Sequence, residues 1–478
     1  MTEQLAFDDI VLGRTVPLPG HVFAISPAEQ AYHSLVWGST GAGKSKFLAT
    51  QLLQHISRHH AVCLLDPHGD LAEDCLRGLA SGGFFSRPDA YERLVYIDFS
   101  DTHHAPFNIL GLKRFRPHVR AQNALDAFGR TWPEVQSAPH FRTLFLTCAM
   151  ILIAADLPLT DINRLLLDGP FRGACLARVS DPFVRQLSGY FEKGLQGAAG
   201  STLRRSFLLG FDPVLRGCLA QKGNIFDIRQ MMDWGVSLII NLGSIQQLES
   251  RRLMGSLLMV QIEQAALSRA EMPQSARRPW TCFVDEWPQM AATQGASLDN
   301  LLTQARKYNL RLCLAGQSPA QIEAGRLAGA LEQCRLSVTF RLGADSATRQ
   351  AREIAYLDLA DAETSASAQM RQLVQTIQNL PAREAFVKVA GEEPVRIRTL
   401  DVSDPTPGGE LEEIVAQYRR RYQTRATPEA LPFEGSLPPL GGGDVARIET
   451  LLAAAGGPVA DFASYFGENG DDTYDDAP

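Results

Sequence analysis

The stretch Gly38-Ser39-Thr40-Gly41-Ala42-Gly43-Lys44-Ser45 decides the fold. Glycine, lysine and a hydroxyl occupy every fixed position of the pattern G-x-x-x-x-G-K-[S/T]. The apolar run HSLVW, His33 to Trp37, leads into it, and KFLATQLLQHI follows with helical spacing. Strand, glycine-rich loop and helix in that order make a phosphate cradle. The glycines let the backbone fold back so that its N–H groups and the helix N-terminus face phosphate oxygens. The pattern assigns all eight residues, Gly38 to Ser45, to nucleotide binding. Lys44 is expected on the β- and γ-phosphates and the Ser45 hydroxyl on Mg²⁺, so ATP and Mg²⁺ are the implied cofactors.

Outward from the loop, further apolar runs end at Asp66 (AVCLLD), Phe99 (RLVYIDF), Asn241 (VSLIIN), Asp285 (TCFVD), Gly316 (RLCLAG) and Leu342 (SVTFRL). They read as strands buried on both faces, as in a parallel sheet. Helical segments such as Leu253 to Ser268 and Leu298 to Tyr308 separate several of them, which predicts an α/β core covered on both sides. EAFVKV and PVRIRTL form a hairpin closing the sheet around Glu384 to Leu400. Residues 31–112 and 232–400 are thus expected to form one discontinuous nucleotide-binding domain, preceded by an extension over residues 1–30.

Residues 113–231 interrupt the alternation with helical periodicity and breakers at Gly169-Pro170, Asp181-Pro182 and Asp212-Pro213, and read as an all-α insertion. The apolar stretch Thr143 to Ala155 is too short for the ~20 residues that cross a bilayer and reads as a buried helix. Between Lys113 and Gly210 thirteen bases face seven acids. The chain has 478 residues and a formal charge of −7, yet from Asp401 onward 15 acids face 5 bases. Residues 1–400 therefore carry +3, and the acidity belongs to residues 401–478, a C-terminal extension with helices at Gly409 to Tyr422 and Asp444 to Ala455 and a disordered end, GENGDDTYDDAP. The eight cysteines stand singly without a C-x-x-C pair, so neither a disulfide framework nor a zinc site is indicated. The acidic, polar N-terminus MTEQLAFDDI lacks the features of an export signal. A cytoplasmic location is expected.

A nucleotide-hydrolysing site needs a second group beside the phosphate loop. WTCFVDE supplies two carboxylates where an apolar strand ends. Asp285 is placed to hold Mg²⁺, and Glu286 to orient or deprotonate the attacking water. Gln317, at the end of RLCLAG, can sense the γ-phosphate if its strand lies between the other two; otherwise it is an exposed loop residue. Asp66 and His68 in DPHGD face the same pocket or form a plain turn.

Taken together, these segments resemble the HerA/FtsK superfamily of P-loop motors, and within it the TraG/TraD-type coupling ATPases of type IV secretion. GSTGAGKS, LLDPHGDL (Leu64 to Leu71), RRLMGSLLMVQIEQAALSR (Arg251 to Arg269), FVDEW with LLTQARKYNLRLCLAGQS (Leu301 to Ser318), and VTFRLG (Val338 to Gly343) carry the likeness, with APFNIL (Ala105 to Leu110) as a weaker match. The resemblance implies a RecA-like core with the Gln317 strand between those of the phosphate loop and Asp285. It also implies a hexameric ring with nucleotide at subunit interfaces. By the same resemblance, Arg306 in the A-R-K segment reaches the neighbouring subunit's γ-phosphate. Arg341 in VTFRLG is a second catalytic candidate, or else caps the sheet edge.

Members of this group carry N-terminal transmembrane helices or a β-barrel. Here about 30 residues precede the first core strand, so permanent membrane anchoring is not expected from this chain. The insertion sits where coupling proteins carry their all-α domain. The resemblance implies an ATP-driven DNA translocase of conjugative or mobile-element transfer, with KRFRPHVR (Lys113 to Arg120) as the DNA-proximal patch, or as ordinary solvated arginines. An ATPase that recruits protein substrates to a secretion channel, and a ring that assembles with a nuclease or defence effector, are the alternatives. The acidic tail either docks a relaxosome or accessory protein or only solubilises the chain. Peripheral attachment at the inner membrane would need a membrane-anchored channel component as partner.

Overall fold

The computed structural model describes residues 6–17, 20–100, 102–290, 301–322, 326–355, 365–400 and 410–425. The described strands are β1 (Ile10–Thr15), β2 (Val22–Ile25), β3 (His33–Trp37), β4 (Val62–Asp66), β5 (Leu94–Asp98), β6 (His103–His104), β7 (Ser237–Asn241), β8 (Trp280–Val284), β9 (Leu310–Gly316), β10 (Cys334–Thr339), β11 (Glu384–Val389), β12 (Val395–Thr399) and β13 (Thr424–Arg425). Eleven of them form one sheet in the order β2-β1-β12-β11-β10-β3-β9-β8-β4-β7-β5, and β13 pairs separately with β6. From β10 to β5 every pairing is parallel. From β10 to β2 every pairing is antiparallel.

The apolar runs become strands because both sheet faces are covered. Every residue of β4, β5 and β7 is buried. One core cluster packs Phe47, Leu48 and Leu52 of the helix Lys44–Ser57 and Leu71, Cys75 and Leu76 of the helix Asp70–Ser81 against one face. The helix Leu248–Ser268 covers the other face through Leu253, Leu257, Leu258 and Ile262, all fully buried. Residues 10–25, set apart as an extension by the sequence, add β1 and β2 to the antiparallel end of the sheet.

The expected breakers in the insertion turn out to start helices. Asp168, Asp181 and Asp212 each accept backbone N–H groups as N-caps, with proline in the first turn of the helices Gly169–Leu176, Pro182–Phe211 and Pro213–Leu219. A carboxylate there satisfies orphan N–H groups, and proline loses nothing where no intrahelical bond is made. The apolar stretch is the helix Pro139–Ala154, with Phe145, Cys148, Ile151 and Leu152 fully buried. No helix of the described residues is long and apolar enough to cross a membrane. The insertion shares its hydrophobic core with the sheet. Its helix Pro117–Thr131 lies on Leu248–Ser268, where Arg130 and Glu263 form a buried ion pair.

At the far edge, the helix Glu410–Tyr422 covers β5. Ile414 and Tyr418 are buried, and Tyr418 packs on Tyr91 and Tyr96. Arg419 Nε donates to both oxygens of the buried Asp98, at 3.1 and 3.3 Å. Covering an edge strand removes a template for unwanted pairing. The second expected C-terminal helix and the acidic end lie outside the described residues.

His33 fastens the centre of the sheet. Its Nδ1 accepts from the Leu312 amide of β9 at 2.9 Å, and its Nε2 lies 3.0 Å from the Leu302 carbonyl, so the N–H sits on Nε2. Burial, more than the nearby Arg306, pushes its pKa down from 6.5 to about 4. The unfolded chain therefore binds a proton that the folded ring resists, and stability present above pH 6.5 is lost as pH falls towards 4. In urea unfolding, His33→Gln is expected to lose less stability between pH 7 and about 5 than the unaltered protein does. Equal losses would show that His33 does not titrate in this way.

Candidate active site

The phosphate loop leaves β3 and turns into the helix Lys44–Ser57. Gly41 and Gly43 have φ of 75° and 107°, in the left-handed region that favours glycine. A Cβ on Gly43 would stand 3.0 Å from the Arg383 backbone. Arg383 itself donates its N–H to the Ala42 carbonyl at 2.8 Å. On the other side, Ser39 donates its amide and hydroxyl to the Arg341 carbonyl, at 3.0 and 2.9 Å. The loop is therefore clamped between the segment after β10 and the one before β11.

The expected strand order is present: β9 lies between β3 and β8. Parallel neighbours send their exits to the same end of the sheet, so the phosphate loop, Gln317 and the Asp285-Glu286 pair emerge together. Gly316 makes this closeness possible, because a Cβ there would meet the Trp37 ring at 2.6 Å. Gly38 to Gly41, Gly43, Lys44, Ser45, Asp66, His68, Asp285, Glu286 and Gln317 line one cavity of about 550 Å³. Ala42, buried under the loop, is the one member of the motif outside that lining.

Lys44 is buried and pairs with both carboxylates, Asp285 Oδ1 at 3.3 Å and Glu286 Oε1 more closely. Asp285 and Glu286 are each 5% exposed. Glu286 has φ of 46°, a strained value for a residue with a side chain, and its amide donates to Asp285 Oδ1 at 3.1 Å. One cation facing two fixed acids can share its charge with a phosphate and a metal ion without rebuilding the site. Ser45 and Asp285 would supply two oxygen ligands, few enough that a bound Mg²⁺ would take the rest from phosphates and water.

Asp66 plays a different part. Its two oxygens accept the His68 and Ala72 amides at 2.9 and 2.8 Å, which folds the DPHGD turn onto the next helix. Burial raises its carboxyl above the ordinary value, against the pull of those amides. DPHGD is thus both a turn and a wall of the cavity.

Two expected residues lie elsewhere. Arg341 contributes its backbone to the loop, but its side chain is not in the cavity lining. Arg306 lies in the turn Ala305–Tyr308 before β9, at the opposite end of the sheet, with its guanidinium 3.9 Å from the centre of the Tyr32 ring. It cannot serve this chain's own cavity. Ala382 and Arg383 line the cavity and were not foreseen. They precede an antiparallel strand and match no motif; only the β10–β11 pairing brings them in.

No family model and no curated sequence matches this chain. Solved structures do match in fold. The bacterial conjugative coupling protein TrwBdeltaN70, in an unbound form, superposes with a TM-score of 0.60 at 18% identity, over 85% of this chain and 93% of that one. TrwB with the ATP analogue ADPNP gives 0.58 at 20%, over 85% and 92%. VirB4 of Thermoanaerobacter pseudethanolicus gives 0.53 at 14%, over 83% and 98%. This chain has the coupling-protein fold. The match covers most of this chain, in which a run of helices stands between β6 and β7.

Within this coupling-protein fold, several of the insertion's basic residues bond back onto the chain, exposed ones among them. Arg120, Arg172, Arg178 and Arg185 donate to the carbonyls of Leu110, Leu165, Ala155 and Val179. Arg114 pairs with Asp227 at 3.1 Å, and Lys113 lies 4.0 Å from Asp156.

Removing the Lys44 ammonium strands two buried carboxylates. Lys44→Ala is expected to lower the unfolding free energy of the nucleotide-free protein by about 3 kcal/mol, and Lys44→Ala/Glu286→Gln to recover part of it. Denaturant unfolding of the three proteins measures this, and a neutral Lys44→Ala would rule out the pairing.

Proposed function

We propose that this chain is an ATP-driven motor that works as a hexameric ring and moves DNA in conjugative or mobile-element transfer. The observation that carries the reading is the convergence of Lys44, Ser45, Asp285, Glu286 and Gln317 on one cavity. TrwB structures of the same fold hold ADP with Mg²⁺, or ADPNP. The residues here fit such a ligand: glycines with positive φ free the loop amides, and a hydroxyl and a carboxylate flank the lysine.

In this reading Lys44 and the loop amides of Gly38 to Ser45 hold the triphosphate. Ser45 and Asp285 hold Mg²⁺, which when bound neutralises charge on the β- and γ-oxygens. Glu286 orients the attacking water and takes its proton, and Gln317 registers the γ-phosphate. Arg306 faces away from this cavity, which suits a finger acting on a neighbour's nucleotide, an effect worth ~10³ to 10⁵ in rate in P-loop enzymes. Arg341 acts through its backbone, as a brace of the loop.

A second reading keeps the motor and changes the cargo to protein. It is favoured by the internal use of the insertion's arginines and by the exposed Phe183, Phe207 and Phe211 on its longest helix, where Phe207 and Phe211 stack at 5.1 Å. The acidic tail as a docking segment for an accessory protein, and attachment at the inner membrane through a channel partner, belong to either reading.

ATP hydrolysis at low salt is expected to rise on adding DNA, and to fall at least about 100-fold in Lys44→Ala and Glu286→Gln, with nucleotide binding kept only in the latter. Hydrolysis indifferent to DNA, with protein substrates recovered on the insertion, would replace the first reading by the second.

A further inference from the structure

Tyr32 stands directly before β3 and carries two guanidiniums on its ring. Arg306 lies 3.9 Å and Arg335 4.4 Å from the ring centre. Topology explains the cluster. β3 runs between β10 and β9, Arg335 is the second residue of β10, and Arg306 sits in the turn that enters β9. The heads of three parallel strands therefore bring one aromatic ring and two cations together, with Cys334 and His33 paired in register beside them.

Two like charges held against one ring repel, and the aromatic ring offsets only part of that repulsion. Among the described residues no carboxylate lies within ion-pair distance of either guanidinium, although both are exposed and free to find one. Burial raises the Tyr32 phenol, but the two arginines outweigh it and hold the group below its ordinary value. The cluster thus has the field of an anion site. This chain's own phosphate loop cannot supply the anion, because it lies at the other end of the five-residue β3, roughly 16 Å away along the strand.

We propose that Arg335 joins Arg306 in a paired-cation receptor, positioned by Tyr32, for the polyphosphate bound in the cavity of a second copy of this chain. The inference rests on the ring reading above. Arg306 is the finger of that reading; Arg335 and Tyr32 have no role in it. Paired guanidiniums suit a terminal phosphoryl group, whose charge spreads over three oxygens as it transfers. Arg335 would contact the reacting group, whereas Tyr32 acts through the two arginines by fixing their spacing.

The test uses the full chain. Arg335→Ala is expected to bind a fluorescent ATP analogue as tightly as the unaltered protein while kcat falls roughly 10- to 100-fold, with Arg335→Lys intermediate. Tyr32→Leu should lower kcat rather than raise KM, and Tyr32→Phe should retain more of the rate than Tyr32→Leu. Arg335→Ala subunits mixed with Lys44→Ala subunits should regain activity, because some junctions then join an intact cavity to an intact arginine. If hydrolysis per subunit of the unaltered protein does not rise with concentration, the ring reading itself fails. If it does rise and Arg335→Ala hydrolyses normally, or mixing restores nothing, the ring stands and this receptor is overturned.

Discussion

Because β3, β9 and β8 are adjacent and parallel, the turns that leave them must emerge at one end of the sheet. That constraint assembles a phosphate loop, an amide and two carboxylates from segments separated by more than two hundred residues in the chain. It also forces the residues that enter these strands and the neighbouring parallel β10, Tyr32, Arg306 and Arg335 among them, to the opposite end. A parallel sheet thus has two chemically different ends. In the proposed ring, these two ends would belong to neighbouring copies at each junction.

Buried charge is the second organising feature. Lys44 faces Asp285 and Glu286, Arg130 faces Glu263, and Arg419 faces Asp98. Breaking such a pair costs more than the pair contributes, since the survivor stays in a poor solvent. Each pair also joins segments distant in sequence: the phosphate loop to β8, the insertion to the core, the C-terminal helix to the edge strand. The pairs specify which elements meet, while the apolar contacts around them supply most of the stabilisation.

Charge read as composition and charge read as structure differ most in the insertion. Thirteen bases against seven acids look like a basic surface, yet several of these arginines donate to carbonyls within the insertion, in helices and just beyond their ends. Five donors in a fixed fork make arginine well suited to closing helix ends. The insertion is also less separate than its composition implies, because Pro117–Thr131 and Leu248–Ser268 bury their apolar faces against each other in a core continuous with the sheet.

The sequence by itself determined the parallel strands, the phosphate loop and the two carboxylates. Continuous apolar runs have one stable home, a sheet covered on both faces, and a glycine-rich turn ahead of a lysine and a serine has one common use. It also contained the helix starts at Asp181 and Asp212, although aspartate before proline reads equally well as a break. Tertiary structure alone decided that Gln317 enters the cavity, that Arg341 serves through its carbonyl, and that Ala382 and Arg383 belong to the site. It alone placed Arg306 and Arg335 on Tyr32, away from the nucleotide cavity of their own chain. The reason is physical: local sequence sets backbone conformation and burial, whereas strand order and direction set which ends meet, and neither is written in any one segment.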